Sequence, residues 1–273
     1  MKKILILGAS GFIGNALYKE LCPYFDTHGT YCTDDPVFAK NRKFHQFDLE
    51  KEPVGILLEN LRPTVIISAV RGNFDAQVAM HMEIISYILK NKCKLIFLSS
   101  SNVFDAFTNY PSYEYDKTLS ESVYGRFKIK RENALLRLPN HKYVIARLPM
   151  IFGAGSPRIS EIRRQLKEGE AIEVFSNVVI NATTEAKVTQ QLHYIINRGR
   201  QGIFHLGSND LVHHNDLVVD ICEVLGVKDP LLKNVYDSNF DRFLAVLPKD
   251  NLLPKNLQIS VQEVVKGSLV NSL

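Results

Sequence analysis

The residues of this chain with the most chemistry to offer are a serine, a tyrosine and a lysine. Tyr124 and Lys128 stand in "VYGRFKIKREN", four positions apart in what reads as the start of a helix, and so share one helical face. Ser100 lies 24 residues before Tyr124, in "FLSSSNVF", where an apolar run ends in three serines. A phenol with an ordinary pKa of about 10 is a poor acid or base at neutral pH. A nearby ammonium favours the phenolate and draws that value toward the range where proton transfer works. Hydride arriving at a ketone carbon needs such a proton donor at the oxygen, and a serine hydroxyl can hold the carbonyl. Each residue has a plainer reading too. Serines at strand ends cap backbone groups, and a Tyr–Lys pair is common on a surface helix.

A second constellation is "LGASGFIG", which puts Gly8, Gly11 and Gly14 directly after an apolar run and at the mouth of a helical segment. A tight turn there lets the backbone approach a ligand that Cβ atoms would keep away. The helix N-terminus adds unpaired N–H groups and a positive dipole end, a natural seat for a diphosphate. Phe12 and Ile13 sit inside the turn, as packing residues or as contacts to the same ligand. Asp34 and Asp35 follow the second apolar run about 20 residues on, where a carboxylate accepts hydrogen bonds from an adenosine ribose. A solvated "DDP" turn is the alternative, and Lys40 and Arg42 lie within reach for a 2′-phosphate. Asp48, with Leu49 beside it, is a further candidate for the adenine side, and Ala69 follows the fourth run.

These residues need a scaffold, and the hydrophobic pattern supplies one. "KKILILG", "HGTYCT", "KFHQFDL", "TVIISAV", "KLIFLSSS" and "KYVIARLPMIFG" read as strands, separated by helix-length periodic segments. Continuous apolar strands alternating with helices indicate a parallel sheet covered on both faces. Right-handed crossovers then give an α/β, doubly wound, Rossmann-like architecture. The segment 75 to 91 is expected to be a helix, with Val78, Met82, Ile85 and Leu89 on one face. "TLSE" at 118 to 121 offers a capping box for the helix of Tyr124. After Gly155 the pattern loosens into helices at 158 to 168, 184 to 198 and 214 to 226, short strands "AIEVFS" and "GIFHLGS", and a last helix near 261 to 271. Residues 1–155 are thus expected to form a dinucleotide-binding domain, and 156–273 a smaller substrate-binding cap interleaved with the sheet.

Composition narrows the classes. With 45% hydrophobic and 23% charged residues, a normal folded soluble protein is expected. A net charge of +4 without a clustered basic stripe argues against nucleic acid. No apolar run approaches the roughly 20 residues that span a bilayer. The lysines and apolar run at the start superficially suggest a signal peptide, but three glycines interrupt it. Cys22, Cys32, Cys93 and Cys222 are scattered, which suggests neither zinc nor disulfides, and a reducing cytoplasm is the default.

Together the glycine turn, "SSS", "YGRFK" and the strand–helix order resemble the extended short-chain dehydrogenase/reductase family, most closely its dTDP-4-dehydrorhamnose reductase-like nucleotide-sugar reductases. The family's serine or threonine before a Val–Phe pair is Ser100, before Val103 and Phe104. Its Glu-x-Asp-x-x-x-Pro-x-x-x-Tyr-Gly run appears as Glu114, Asp116, Ser120, Tyr124 and Gly125, with serine replacing proline. "ARLPMIFGAG" resembles the strand and loop leading to substrate, with Arg147 at the usual arginine.

The resemblance implies NAD or NADP as cofactor and a nucleotide-linked keto sugar as substrate. Tyr124 would donate the proton, Lys128 would bind the nicotinamide ribose, Ser100 would orient the carbonyl, and Arg147, Ser101 and Asn102 would meet the substrate. A homodimer would be in keeping. Two departures stand out: the family's "NAA" is "SAV" at Ser68 to Val70, and His81 takes a helix position often held by asparagine. An epimerase reuses the same three residues. A dehydratase would want an Asp–Glu pair where Ser101 and Asn102 stand. From a different class, the regulatory subunit of methionine adenosyltransferase shares this reductase-like fold, so a non-catalytic cofactor-binding protein is the other reading.

Overall fold

The computed structural model describes residues 2–236 and 238–269. The chain opens with strand β1 (Lys3–Leu7), helix α1 (Phe12–Leu21), β2 (Asp26–Tyr31), a short α2 (Pro36–Ala39) and β3 (Phe44–Gln46). It continues through α3 (Val54–Leu61), β4 (Val65–Ser68), α4 (Phe74–Lys90), β5 (Lys94–Ser100), α5 (Val123–Leu136) and β6 (Tyr143–Leu148). There follow β7 (Met150–Phe152), α6 (Pro157–Glu168), β8 (Ile172–Phe175), β9 (Val178–Ile180), β10 (Ala182–Thr184) and α7 (Glu185–Asn197). The chain closes with β11 (Gly202–His205), β12 (Val212–His213), α8 (His214–Val224), β13 (Leu232–Val235), β14 (Arg242–Leu244) and α9 (Val261–Gly267).

Seven strands form one sheet in the order β11-β6-β5-β4-β1-β2-β3. The pairs β1–β2, β1–β4, β2–β3 and β4–β5 are parallel, as the apolar runs demanded. Ile4, Leu5, Ile6 and Leu7 of β1 are all at 0% exposure, which is why this strand alternates nothing and sits centrally. The fold is the expected doubly wound, Rossmann-like α/β architecture. Strand order reverses beside β1, between β4 on one side and β2 on the other, and ligands of open α/β sheets bind at such a reversal.

Two compact units divide the described chain: one takes residues up to Ser99, 127–146 and 192–202, the other 100–126, 147–191 and from 203 on. The second unit has its own core, in which Phe152, Ile159, Val174, Ile180, Leu217 and Val264 cluster. Small two- and three-stranded sheets surround that core, β10 with β7, β12-β9-β14, and β13 with β8.

The structure redraws four local expectations. Helix α4 buries Gln77, Met80, His81, Ile84 and Ile88, not the stripe of Val78, Met82, Ile85 and Leu89. Met82 and Leu89 are 59% and 51% exposed. The helix carries apolar residues on more than one side, and a buried histidine and glutamine displaced the apolar reading. The run 142–153 is two strands, not one: Pro149, which has no N–H to give a ladder, separates β6 from β7, and β7 pairs with β10. Helix α5 is not started by a box at Thr118 and Glu121. The Ser122 hydroxyl accepts from the Gly125 N–H at 3.0 Å and caps the helix instead. The last helix ends at Gly267, and positions 270 and 271 lie outside the described residues.

Candidate active site

In the first unit, the glycine turn leaves β1 at Gly8 with φ +82, a conformation that L side chains rarely adopt. A Cβ on Gly8 would stand 2.9 Å from the Ala69 carbonyl oxygen, so the loops after β1 and β4 touch through backbone alone. A Cβ on Gly14 would lie 2.1 Å from the Gly8 carbonyl oxygen, which makes that glycine a requirement for α1 to pack on the turn. Gly11 is the N-cap of α1 and offers no side-chain cap, so the first N–H groups of the helix stay available. The Gly8 N–H is held by Thr30 Oγ1 at 2.9 Å, which ties the turn to β2. A backbone cradle closed to Cβ atoms at the mouth of an uncapped helix fits a dinucleotide diphosphate.

The acidic candidates separate. Asp34 is exposed beyond β2. Asp35 caps α2 by accepting from the Val37 N–H at 2.8 Å, so the turn reading holds for that residue. Asp48 accepts from the Glu50 N–H at 3.0 Å and pairs with Lys51 at 2.9 Å, which leaves it engaged in its own turn beside half-buried Leu49.

The two departures from the family pattern meet each other. Ser68 ends β4 and donates its hydroxyl to His81 Nε2 at 2.9 Å, while His81 Nδ1–H donates to the Gln77 carbonyl at 2.6 Å. A carbonyl only accepts, which fixes this tautomer. Burial pushes His81 down to about 4, with Lys128 and Arg131 adding in the same direction, so the ring is neutral. The substitution of each position alone looks odd; as a hydrogen-bonded pair they fasten β4 to α4.

Lys128 belongs to the same unit. It is 7% exposed and donates to the Leu98 carbonyl at 2.9 Å, with its Nζ 4.7 Å from the centre of the Phe97 ring. Burial brings it down to about 8; Glu132 works against that shift and Arg71 with it. Its interior place rules out the surface-helix reading for the lysine.

The second unit holds the serine turn and the first turn of α5. The three serines diverge as strand alternation requires. Ser99 points inward, Ser100 caps the 3-10 turn Ser101–Phe104 and donates to Asn102 Oδ1 at 2.9 Å, and Ser101 is 6% exposed. Three contacts join the segment 102–106 to the segment 119–125 that leads into α5. Asp105 Oδ1 accepts from the Glu121 N–H at 2.7 Å, and the Leu119 carbonyl accepts from Ala106 N–H at 3.3 Å. Gly125 provides the third: a Cβ there would fall 2.0 Å from Ser120 Oγ and 2.2 Å from the Asn102 carbonyl oxygen. The glycine after Tyr124 is therefore what lets the helix reach the serine turn. Tyr124 itself is 42% exposed.

Arg147 and Ser101 are both buried. Arg147 is 2% exposed, donates to the Glu114 carbonyl at 2.9 Å and to His205 Nε2 at 3.3 Å, and stacks 4.8 Å from the centre of Phe104. Its guanidinium organises the interior of the unit. Glu114, at 0% exposure, accepts from the backbone N–H groups of Lys249 and Asp250 at 3.1 Å and 3.2 Å. The motif glutamate is thus a clamp on the 249–251 segment. Sequence reasoning passed over His205, Glu132 and this clamp. Only Glu132 left a trace, as the next step of the 124–128 helical spacing.

Fold and turn define a Rossmann-type α/β protein with a tight glycine turn after its first strand. The chain belongs to the RmlD substrate binding domain family, whose model matches residues 1–254. The probable low-salt glycan biosynthesis reductase Agl14 of Haloferax volcanii is 24% identical over 259 residues, 87% of this chain and 85% of that protein. Methionine adenosyltransferase 2 subunit beta of Rattus norvegicus is 24% identical over 261 residues, 87% of this chain and 76% of the relative. Among solved structures, dTDP-4-dehydrorhamnose reductase from Bacillus anthracis in complex with NADP superposes with a TM-score of 0.75 at 21% identity, covering 97% of each chain. No helix among the described residues is long and apolar enough to cross a membrane.

Proposed function

We propose that this protein is an NAD(P)-dependent reductase of a keto group on a nucleotide-linked sugar. The observation that supports this reading is the close approach of Gly125, the residue after Tyr124, to the Asn102 carbonyl of the serine turn, within one unit. Family membership and the reductase relatives support it. The dinucleotide, when bound, supplies hydride. Gly8, Gly11 and Gly14 let the turn close on its diphosphate, which the N–H groups of the first turn of α1 at Phe12, Ile13 and Gly14 hold, with Ala69 and exposed Asp34 around it. Ser100 Oγ orients the carbonyl oxygen by a hydrogen bond, giving up its present bond to Asn102. Tyr124 gives its phenolic proton to that oxygen. Lys128 lowers the cost of the phenolate left behind and reaches for the nicotinamide ribose. Residues of the second unit serve as the substrate cap.

The likeness to a methionine adenosyltransferase subunit favours one other reading, a cofactor-holding protein that acts through a partner. Loss of NADH or NADPH absorbance with a panel of nucleotide-linked keto sugars separates the two. The reductase reading expects oxidation of one cofactor with at least one sugar. A blank with every sugar, alongside tight cofactor binding and a stable partner, would favour the other.

A further inference from the structure

Helix α5 places two charged side chains one turn apart inside the first unit. Lys128 is 7% exposed and Glu132 1% exposed, at i and i+4 on one face. Both grip the end of β5: Lys128 donates to the Leu98 carbonyl at 2.9 Å, and Glu132 Oε1 accepts from the Ser99 hydroxyl at 2.5 Å. We propose that Glu132 is a positioning residue for Lys128: a buried carboxylate, clamped by Ser99, that supplies the counter-charge under which the lysine stays an ammonium inside the protein. What Lys128 then does for Tyr124 rests on the reductase reading; how Lys128 is charged does not.

A buried ammonium is costly unless paired. From the loop after β4, Arg71 opposes a further positive charge, and from α4 His81 is neutral. On α5 itself Arg131 is cationic, with Nε and NH1 buried and without a hydrogen-bond partner. Glu132 carries a charge that acts for the ammonium. It also explains why the first serine of "SSS" faces inward: Ser99 holds the carboxylate, while Ser100 belongs to the other unit.

The test follows Lys128 by NMR of labelled lysine side chains in wild type, E132Q, E132D and S99A, with K128R assigning the signal. In E132Q the titration midpoint of Lys128 is expected to fall by about one pH unit or more, a tenfold loss of proton affinity. E132D should stay closer to wild type, and S99A should shift the same way by less. Where turnover is measurable, its upper pH limit should move down in parallel in E132Q. An unchanged midpoint in folded E132Q overturns the proposal. Should E132Q not fold, an unchanged midpoint in S99A does so. A shifted midpoint in a protein that oxidises no cofactor with any sugar leaves the counter-charge standing and removes only the reductase reading.

Discussion

Lys128 and two histidines show how burial sets charge in this molecule. Lys128, at about 8 against an ordinary 10.5, is still mostly an ammonium at pH 7, and it loses that charge as pH rises past 8. Reduction that depends on it is therefore expected to fall off above about pH 8 in a rate profile of the free enzyme; a flat profile to pH 10 would contradict the role. His81 and His205 behave in the opposite window. Burial holds them at about 4 and about 3, below the ordinary 6.5, so folding prefers the neutral rings. That preference is intact above pH 6.5 and is lost as pH falls toward 4 and 3, at about 1.4 kcal/mol per pH unit for each ring. Melting measured from pH 7.5 to 5 should show this slope, and His81→Gln should reduce it by one proton's worth. Equal slopes in the two proteins would refute the assignment.

At the scale of elements, the glycines and the corrected helix face make opposite predictions about tolerance. Gly14→Ala must displace the Gly8 carbonyl, whose oxygen lies 2.1 Å from the added methyl. Overpacking of this kind costs about 1–3 kcal/mol, and the same shift should weaken dinucleotide binding in a titration. Binding and melting both unchanged would mean that the turn is loose. On α4, Met82→Lys and Leu89→Lys should each stay within about 0.5 kcal/mol of wild type by urea unfolding. Ile84→Ala, at full burial, should cost about 2–5 kcal/mol. The sequence made the strands of the sheet legible, because a central parallel strand such as β1 is apolar at each of its buried positions, Ile4 to Leu7. Helix α4 was misread for the converse reason: its inward face carries Gln77 and His81, and their burial depends on bonds to partners that no periodicity reports. The N-cap of α5 slipped by the same logic, since several hydroxyls competed and packing at Gly125 decided for Ser122.

For the whole molecule, the glycine turn after β1 could be read from residue types and spacing, whereas the packing of Arg147 could not. Its motif position suggested substrate; its burial against Glu114, His205 and Phe104 makes it an organiser of the second unit. The pair Ser68–His81 teaches the complementary lesson, that two departures from a family pattern become one feature once they touch. The relatives span a glycan-biosynthesis reductase and a subunit of a methionine adenosyltransferase, so the fold serves more than one kind of role, and the site must decide. The most direct measurement is turnover of Tyr124→Phe beside its cofactor affinity, with a nucleotide-linked keto sugar that the wild type reduces. A proton donor accounts for about 10²–10⁴ in rate, so turnover should drop by at least about a hundredfold while NAD(P)H binds as before. Turnover within a few fold of wild type would contradict the account.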